Sequence, residues 1–420
     1  MEKITVIKGF KDILPEDTPN WCRVESIARQ VFGSFGFREI RVPIMEKTEL
    51  FKRSIGETTD IVEKEMYTFA DRDDELLTLR PEATASVIRA YIEHNMQSLE
   101  PVTRLFTIGP MFRRERPQKG RFRQFNQIDV ELFGDDKPQS DVEVILMLIH
   151  FLEATGLSEL ALEINSLGCK ACRPAFSQAV VNYLKGSEKE LCPDCQRRMT
   201  TNPLRVFDCK VESCSSIIAK APRILDYLCT GCKEHFADVK SYLNDLNVQY
   251  AINPTMVRGL DYYVRTAFEV KSGSLGAQNS LAGGGRYDGL VSSLGGPEVA
   301  GIGFGVGFER LLASLPDIEV AKYKTDLFIA ALGARAQKIG FILSCELRRA
   351  GIATAMDYSD KSLKSQMKRA DKLNSSYTLI FGDKEIDEKR LDLRNMTTKN
   401  QQVLSLENLQ ETIINILTER

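Results

Sequence analysis

A chain of 420 residues is longer than one ordinary core, so two or three domains are expected. With 43% hydrophobic and 27% charged residues and no apolar run of about 18, it excludes fibrous, disordered and membrane-spanning classes. A formal net charge of -2 gives no global attraction to nucleic acid, so any such binding must come from local patches. The first segment, MEKITVIKGFKDILPEDTP, lacks an apolar core and a small-residue cleavage site, which predicts a cytoplasmic protein. Trp21, Val24, Ile27, Ala28, Val31 and Phe32 recur at helical spacing and predict an amphipathic helix over 20–35. FREIRVPIM, 37–45, then reads as one strand, and Pro43, with no N–H for a ladder, puts it at an edge or a subunit boundary.

The runs TRLFTIGPMFR and RQFNQIDVELFG flank a basic stretch, RRERPQKGRFRQF, that carries six cationic side chains and one acid around Pro117 and Gly120. This predicts a hairpin with a long basic loop. In its second strand Asn126, Ile128, Val130 and Leu132 share one face, while Gln127, Asp129 and Glu131 share the other. The polar row is either a solvated sheet face or the wall of a pocket. From 169 to 250 the composition shifts to Cys, Lys and helix formers, with SSIIAKAPRILDYL and KEHFADVKSYLNDL reading as helices of an inserted module. Strands resume with VRGLDYYVRTAFEVKS, AGGGRYDGLV and GIGFGVGF, the last leading into a helix at ERLLASL. Alternation of Ile302, Phe304, Val306 and Phe308 with glycines predicts a strand whose bare face admits a close neighbour.

Beyond a boundary near 316–325 the rhythm becomes strand, helix 335–349, strand, helix 361–373, strand, a short β segment near 390–404 and a last helix. That is an α/β domain with a mixed, largely parallel sheet. Cys22 and Cys345, on predicted helices, read as core.

Arg113, Arg258 and Arg310 each lie beside a β segment, and three guanidinium groups converging on one sheet would make a polyphosphate site. No P-loop, dinucleotide fingerprint or nucleophile elbow accompanies them. The segments FREIRVPI, TLRPEATA, GPMFRRERPQKGRFRQFNQIDVELFG, VRGLDYYVRTAFE, AGGGRYDGL and GIGFGVGFERLL, in this order, closely resemble the signatures of the histidyl-tRNA synthetases, class II aminoacyl-tRNA synthetases. The resemblance covers nearly the whole chain, and RGLDYY with GGGRYDGL is specific to the histidine branch.

The resemblance implies an α+β catalytic domain built on an antiparallel sheet, over 1–168 and 251–320, a mainly helical Cys-rich insertion over 169–250, and an anticodon-binding-like α/β domain over 325–420. It implies ATP with Mg²⁺, L-histidine and tRNA(His) as ligands, and a homodimer joined near Pro43. Arg113 is similar to the arginine that meets the α-phosphate and the substrate carboxylate, Arg310 to the one at the γ-phosphate, and Arg258 to a cation at the α-phosphate. Glu82, Thr84 and Gln127 resemble residues around the α-amino group, and Glu131 with Tyr263 those that read the imidazole. Arg113 and Arg258 would also touch histidine. Tyr262 also belongs to this set, although alternation along a strand would turn it away from its neighbour. Gln118, Lys119, Arg121 and Arg123 would face the tRNA acceptor end, and Lys361, Lys364, Lys368 and Lys372, a basic stripe, the anticodon.

Three C-x-x-C pairs, Cys169/Cys172, Cys192/Cys195 and Cys229/Cys232, with Cys209/Cys214 between them, have zinc-ligand spacing. They predict either structural Zn²⁺ in one or two four-coordinate sites, with His235 as a further ligand, or reduced thiols. The competing function is a catalytically inert paralogue serving as a regulatory subunit of ATP phosphoribosyltransferase.

Overall fold

The computed structural model describes residues 3–57, 59–116, 121–273, 280–316 and 324–418. Two compact units are resolved, Met1–Ile318 and Glu319–Arg420.

The larger unit is organised by an eight-stranded sheet. Its spatial order is Arg38–Glu39, Thr103–Phe112, Gln124–Phe133, Gly301–Gly307, Ser280–Arg286, Val264–Ser272, Leu160–Ser166 and Tyr250–Ile252. The six central strands pair antiparallel, and the two short outer ones are parallel to their neighbours. The hairpin forms as expected, with Leu105 opposite Glu131 and Phe112 opposite Gln124. Period-two alternation then divides the strand Gln124–Phe133. Ile128, Val130 and Leu132 are fully buried in a core with Phe32, Phe151 and Phe304, covered by helices Thr18–Ser34, Pro138–Ala154 and Thr230–Asp245. Gln127, Asp129 and Glu131 stand on the opposite face and line a cleft, so the row is a pocket wall and not a solvated surface.

The segment 37–45 is not one strand. Arg38–Glu39 joins the large sheet, whereas Met45–Lys47 pairs with Leu76–Leu79 in a separate three-stranded sheet. Pro43 cannot donate to a ladder, and the carbonyls of Val42 and Pro43 instead accept from Arg80 Nη1 at 3.0 and 3.4 Å. Cys22 is exposed and Cys345 half-buried, so neither is core. On Thr18–Ser34 the inward stripe is Val24, Ala28, Val31 and Phe32, and Cys22 lies outside it.

In the Cys-rich segment the predicted helix over 215–228 is broken: Glu212–Ile218 is α-helical and Ile224–Tyr227 forms a separate 3₁₀ turn. Pro222 accounts for the interruption, since it lacks a donor and turns its predecessor out of the helical region. The last helix, Thr230–Asp245, gives Phe236, Val239 and Leu243 to the core of the large sheet.

The smaller unit has a five-stranded mixed sheet, Thr354–Met356, Leu327–Leu332, Tyr377–Gly382, Arg390–Asn395 and Gln401–Ser405. The first three strands are parallel and the last two antiparallel. Lys364, Lys368 and Lys372 are exposed on helix Leu363–Lys372, while Lys361 precedes that helix and reaches Asp357 at 3.4 Å.

Candidate active site

A cavity of about 280 Å³ opens on the polar face of the large sheet. Its floor is made by two facing strands whose side chains are complementary in size. Gly303 lies opposite Glu131, Gly305 opposite Asp129 and Gly307 opposite Gln127. A methyl group at Gly305 would press on Asp129 Oδ1 at 2.8 Å and Gln127 Nε2 at 3.2 Å, and one at Gly303 would overlap Glu131. The glycines therefore let three polar side chains lie flat across the sheet. At the next strand Gly283 does the same for the Arg258 guanidinium, which a methyl group there would overlap.

Glu82, Asp129 and Glu131 bring three carboxyl groups to one water-poor wall, where they are 4%, 5% and 2% exposed. Burial raises all three. The Asp129 carboxyl is pushed up to about 8 by burial and the Glu82 charge, with Arg80 and Arg113 pulling it back. Burial holds Glu131 well above the carboxylate range despite hydrogen bonds from Thr84 and Tyr287. Burial likewise raises Glu82, which Tyr262 opposes by donating its hydroxyl at 3.0 Å. Glu82 Oε1, Gln127 Oε1 and Asp129 Oδ2 are buried and find no hydrogen-bond partner among the described residues.

Cations occupy other walls. Arg113 donates through Nε to Pro81 O at 2.8 Å and lies over the Phe125 ring at 5.3 Å. Arg258 sits over Tyr263 at 5.8 Å and 3.5 Å from Glu269, with its buried Nε unpartnered among the described residues. Arg310, from the helix that follows Gly307, donates to Ser280 O at 3.2 Å, and burial lowers its pKa. A cleft with a carboxyl-lined end and several guanidinium groups suits a ligand that is both zwitterionic and phosphorylated.

Of the residues expected from the sequence, Glu82, Thr84, Arg113, Gln127, Glu131, Arg258, Tyr262, Tyr263 and Arg310 all line this one cavity. Tyr262 does so beside Tyr263 because 253–263 is irregular backbone, and strand alternation does not apply to it. Arg121 also lines the cavity and pairs with Glu115 at 2.9 Å. Arg123 is turned to the N-terminal segment, donating to Glu115 O and Lys8 O, both at 3.3 Å. Gln118 and Lys119 lie outside the described residues. Asp129, which parity with Gln127 and Glu131 marks in the sequence, and Tyr287, whose hydroxyl donates to Glu131, line the cavity beyond the residues expected. Arg80 carries no such signal in the sequence and acts as a brace, its Nε donating to Pro110 O at 2.9 Å.

The cysteines gather apart from the cleft, in two quartets: Cys169, Cys172, Cys229 and Cys232, and Cys192, Cys195, Cys209 and Cys214. His235 joins neither. It bonds Asp141 at 2.7 Å, in a buried cluster where Asp141 also ion-pairs with Arg286 at 2.5 Å, so it is a structural link between helices Thr230–Asp245 and Pro138–Ala154.

The family model described as Histidyl-tRNA synthetase matches residues 9–178 and 200–311, and that described as Anticodon binding domain matches 326–416. The chain is 54% identical over 419 residues to the histidine–tRNA ligase of Desulfosudis oleivorans, covering 99% of each chain. It is also 54% identical over 398 residues to that of Geobacter metallireducens, covering 95% of this chain and 96% of the relative. The crystal structure of apo Staphylococcus aureus histidyl-tRNA synthetase is similar with a TM-score of 0.83 and 38% identity, over 98% of this chain and 100% of that one.

Proposed function

The chain belongs to the histidyl-tRNA synthetase family, and from that premise we propose that its cleft joins L-histidine to ATP and hands the histidyl group to tRNA(His). The observation that carries the amino-acid half is the trio of buried acceptors on Glu82, Gln127 and Asp129 that have no partner among the described residues. An ammonium group has three N–H donors and no acceptor, so the α-amino group of histidine supplies donors of matching number and charge. Glu131, braced by Tyr287, reads an imidazole N–H with Tyr263 beside it. A substrate lacking that donor would leave a buried carboxyl unmatched, which is how such a site rejects analogues.

The histidine carboxylate attacks the α-phosphorus of ATP. The bond to the β-phosphate oxygen breaks and pyrophosphate leaves with that electron pair. The nucleophile is already ionised at neutral pH, so no general base is required, and rate comes from alignment and from neutralising phosphate charge. Arg113 and Arg258, which line the cavity with Arg310, are assigned to the α-phosphate and Arg310 to the distal phosphates. Mg²⁺ adds charge neutralisation when bound with ATP, and the hard carboxylate donors Glu115 and Glu309, which line the same cleft, fit it. In the second step a ribose hydroxyl at the tRNA terminus attacks the histidyl carbonyl and AMP departs.

Histidine-dependent exchange of labelled pyrophosphate into ATP tests this reading. Exchange is expected with histidine and not with other amino acids; its absence from active-site-titrated protein overturns the assignment. The regulatory-subunit reading predicts no exchange. It is not favoured, because Arg113, Arg258 and Arg310 are all present and the likeness to histidine–tRNA ligases runs the full length.

For tRNA, the basic hairpin end with Arg121 and Arg123 would meet the acceptor stem and the exposed Lys364, Lys368 and Lys372 the anticodon arm. Removing 326–420 should raise the KM for tRNA by about tenfold or more, the scale expected when several phosphate contacts are lost, while pyrophosphate exchange is retained. The opposite pattern in steady-state kinetics would count against this placement. No helix among the described residues is long and apolar enough to cross a membrane, and we read the protein as cytoplasmic. Exposed Ile44, Met45, Phe69 and Leu76, on or beside the three-stranded sheet, support a homodimer joined there. The clustered cysteines are read as ligands of structural Zn²⁺.

A further inference from the structure

The segment that carries Arg258, Tyr262 and Tyr263 belongs to neither a helix nor a strand, so its backbone carbonyls need partners from elsewhere. They obtain them from the Cys-rich module. Arg205 Nη1 donates to Arg258 O at 2.9 Å, and Arg173 reaches Asp261 O at 3.5 Å and donates to Tyr263 O. Arg205 is itself buried and fixed by Asp208 at 2.8 Å. Each arginine lies next to a different cysteine quartet: Arg173 follows Cys172, and Arg205 stands four residues before Cys209. Arg198, three residues after Cys195, extends the bracing by pairing with Asp60 at 2.9 Å, ahead of the turn Ile61–Glu65 whose Ile61 lines the cavity.

Within each quartet all four sulfur atoms lie within 4.8 Å of one another. The Sγ separations are 3.7 Å for Cys169–Cys172, 3.8 Å for Cys169–Cys229 and 3.8 Å for Cys192–Cys209. Disulfide sulfurs sit at about 2.05 Å, so these are unbonded. A tetrahedral zinc with Zn–S bonds of about 2.3 Å has sulfur–sulfur edges of about 3.8 Å, the spacing seen here. The surroundings match thiolates too. The backbone N–H of Cys229 donates to Cys172 Sγ at 3.1 Å and that of Cys192 to Cys214 Sγ at 3.2 Å. Cys172, Cys192 and Cys229 stand at helix N-termini, where the partial positive charge favours an anionic sulfur. The quartets are nested: the chain that leaves Cys172 builds the second site before returning at Cys229 to close the first.

We propose that the two quartets bind two Zn²⁺ ions, and that these ions position the histidine-reading segment Arg258–Tyr263 through Arg173 and Arg205. The metal sites stand on the sulfur geometry alone, and the positioning role rests on the cleft binding histidine. Removing the ions would release the helix start at Cys172 that aims Arg173 and the end of the 3₁₀ turn at Cys209 that holds Arg205, and three carbonyls beside the cleft would lose their donors. Arg173 and Arg205 are positioning residues, since they touch the segment's backbone and not the cavity.

Full-length protein purified without chelator should contain two zinc ions per chain by elemental analysis and native mass, with no visible absorption. No bound metal, or a coloured iron species, overturns the metal sites. The pair Cys192→Ser and Cys209→Ser should leave one zinc; should that variant not fold, the native mass of the parent chain still decides the stoichiometry. Arg205→Ala should keep both ions yet weaken histidine binding in calorimetry by roughly tenfold or more, the scale that displacement of a remote support produces, and Arg205→Lys should restore part of the loss. Unchanged affinity in Arg205→Ala with both ions bound overturns the positioning role. A parent protein that holds two zinc ions but binds no histidine upholds the metal sites and fails the functional reading instead.

Discussion

Replacing Arg258 with alanine is expected to lower pyrophosphate exchange by roughly 10³-fold, the scale of losing one preorganised donor to a developing charge. Three features make this side chain more than a surface cation. Gly283 leaves the bare sheet surface against which its guanidinium lies, Tyr263 supports it from one side, and its Nε is buried with no partner among the described residues. A donor held in that state has its greatest effect on charge that appears only as the α-phosphorus is attacked, so the loss should fall on kcat more than on the KM for histidine. Arg258→Lys should recover little, because a point charge does not replace a planar fork. Single-turnover formation of histidyl-adenylate reads the step directly, and a parental rate in Arg258→Ala would remove Arg258 from the chemistry. Gly283→Ala offers an independent check: it leaves the charge in place but displaces it, and should lower the same rate.

What could be read in advance followed rules of short range. The alternation Gln127, Asp129, Glu131 separated a pocket wall from a core face because a strand's side chains have a fixed period of two. The glycine rhythm of 301–307 announced a bare face for a similarly local reason. Failures came where tertiary contacts replaced local ones. The run 37–45 breaks into two short strands, and between them the carbonyls of Val42 and Pro43 go to Arg80, 38 residues on from Val42. The segment 253–263 has no period, and its carbonyls meet guanidinium groups from another part of the chain, so strand alternation does not predict where Tyr262 points. Spacing marks the cysteine pairs as candidate ligands or reduced thiols, but four pairs can be joined in three ways. Only the fold brings the first to the last and the inner two together. His235 is near the cysteines in sequence, but a buried aspartate holds it.

Asp129 sets a second large effect, on pH dependence. Its carboxyl titrates near 8 in the free protein because burial and Glu82 disfavour a second charge. Around neutrality it therefore keeps its proton, and the ammonium of histidine should expel that proton on binding. Histidine affinity is then expected to rise about fivefold between pH 7 and 8 and to level off above, as the ionised fraction of a group near 8 does. Asp129→Asn should bind histidine roughly hundredfold more weakly at pH 8, having lost a charge-assisted hydrogen bond, and should show a flat profile across that interval. Stability should move the other way. A buried acid whose folded pKa lies above its unfolded value of about 3.9 destabilises the fold progressively as pH rises from near 4 to near 8. The asparagine variant should thus melt above the parent at pH 8 and level with it near pH 4. Calorimetric binding and thermal melts across these pH values test both halves; parallel pH profiles for parent and variant would refute the role, since they would place the titrating group elsewhere on the carboxyl wall.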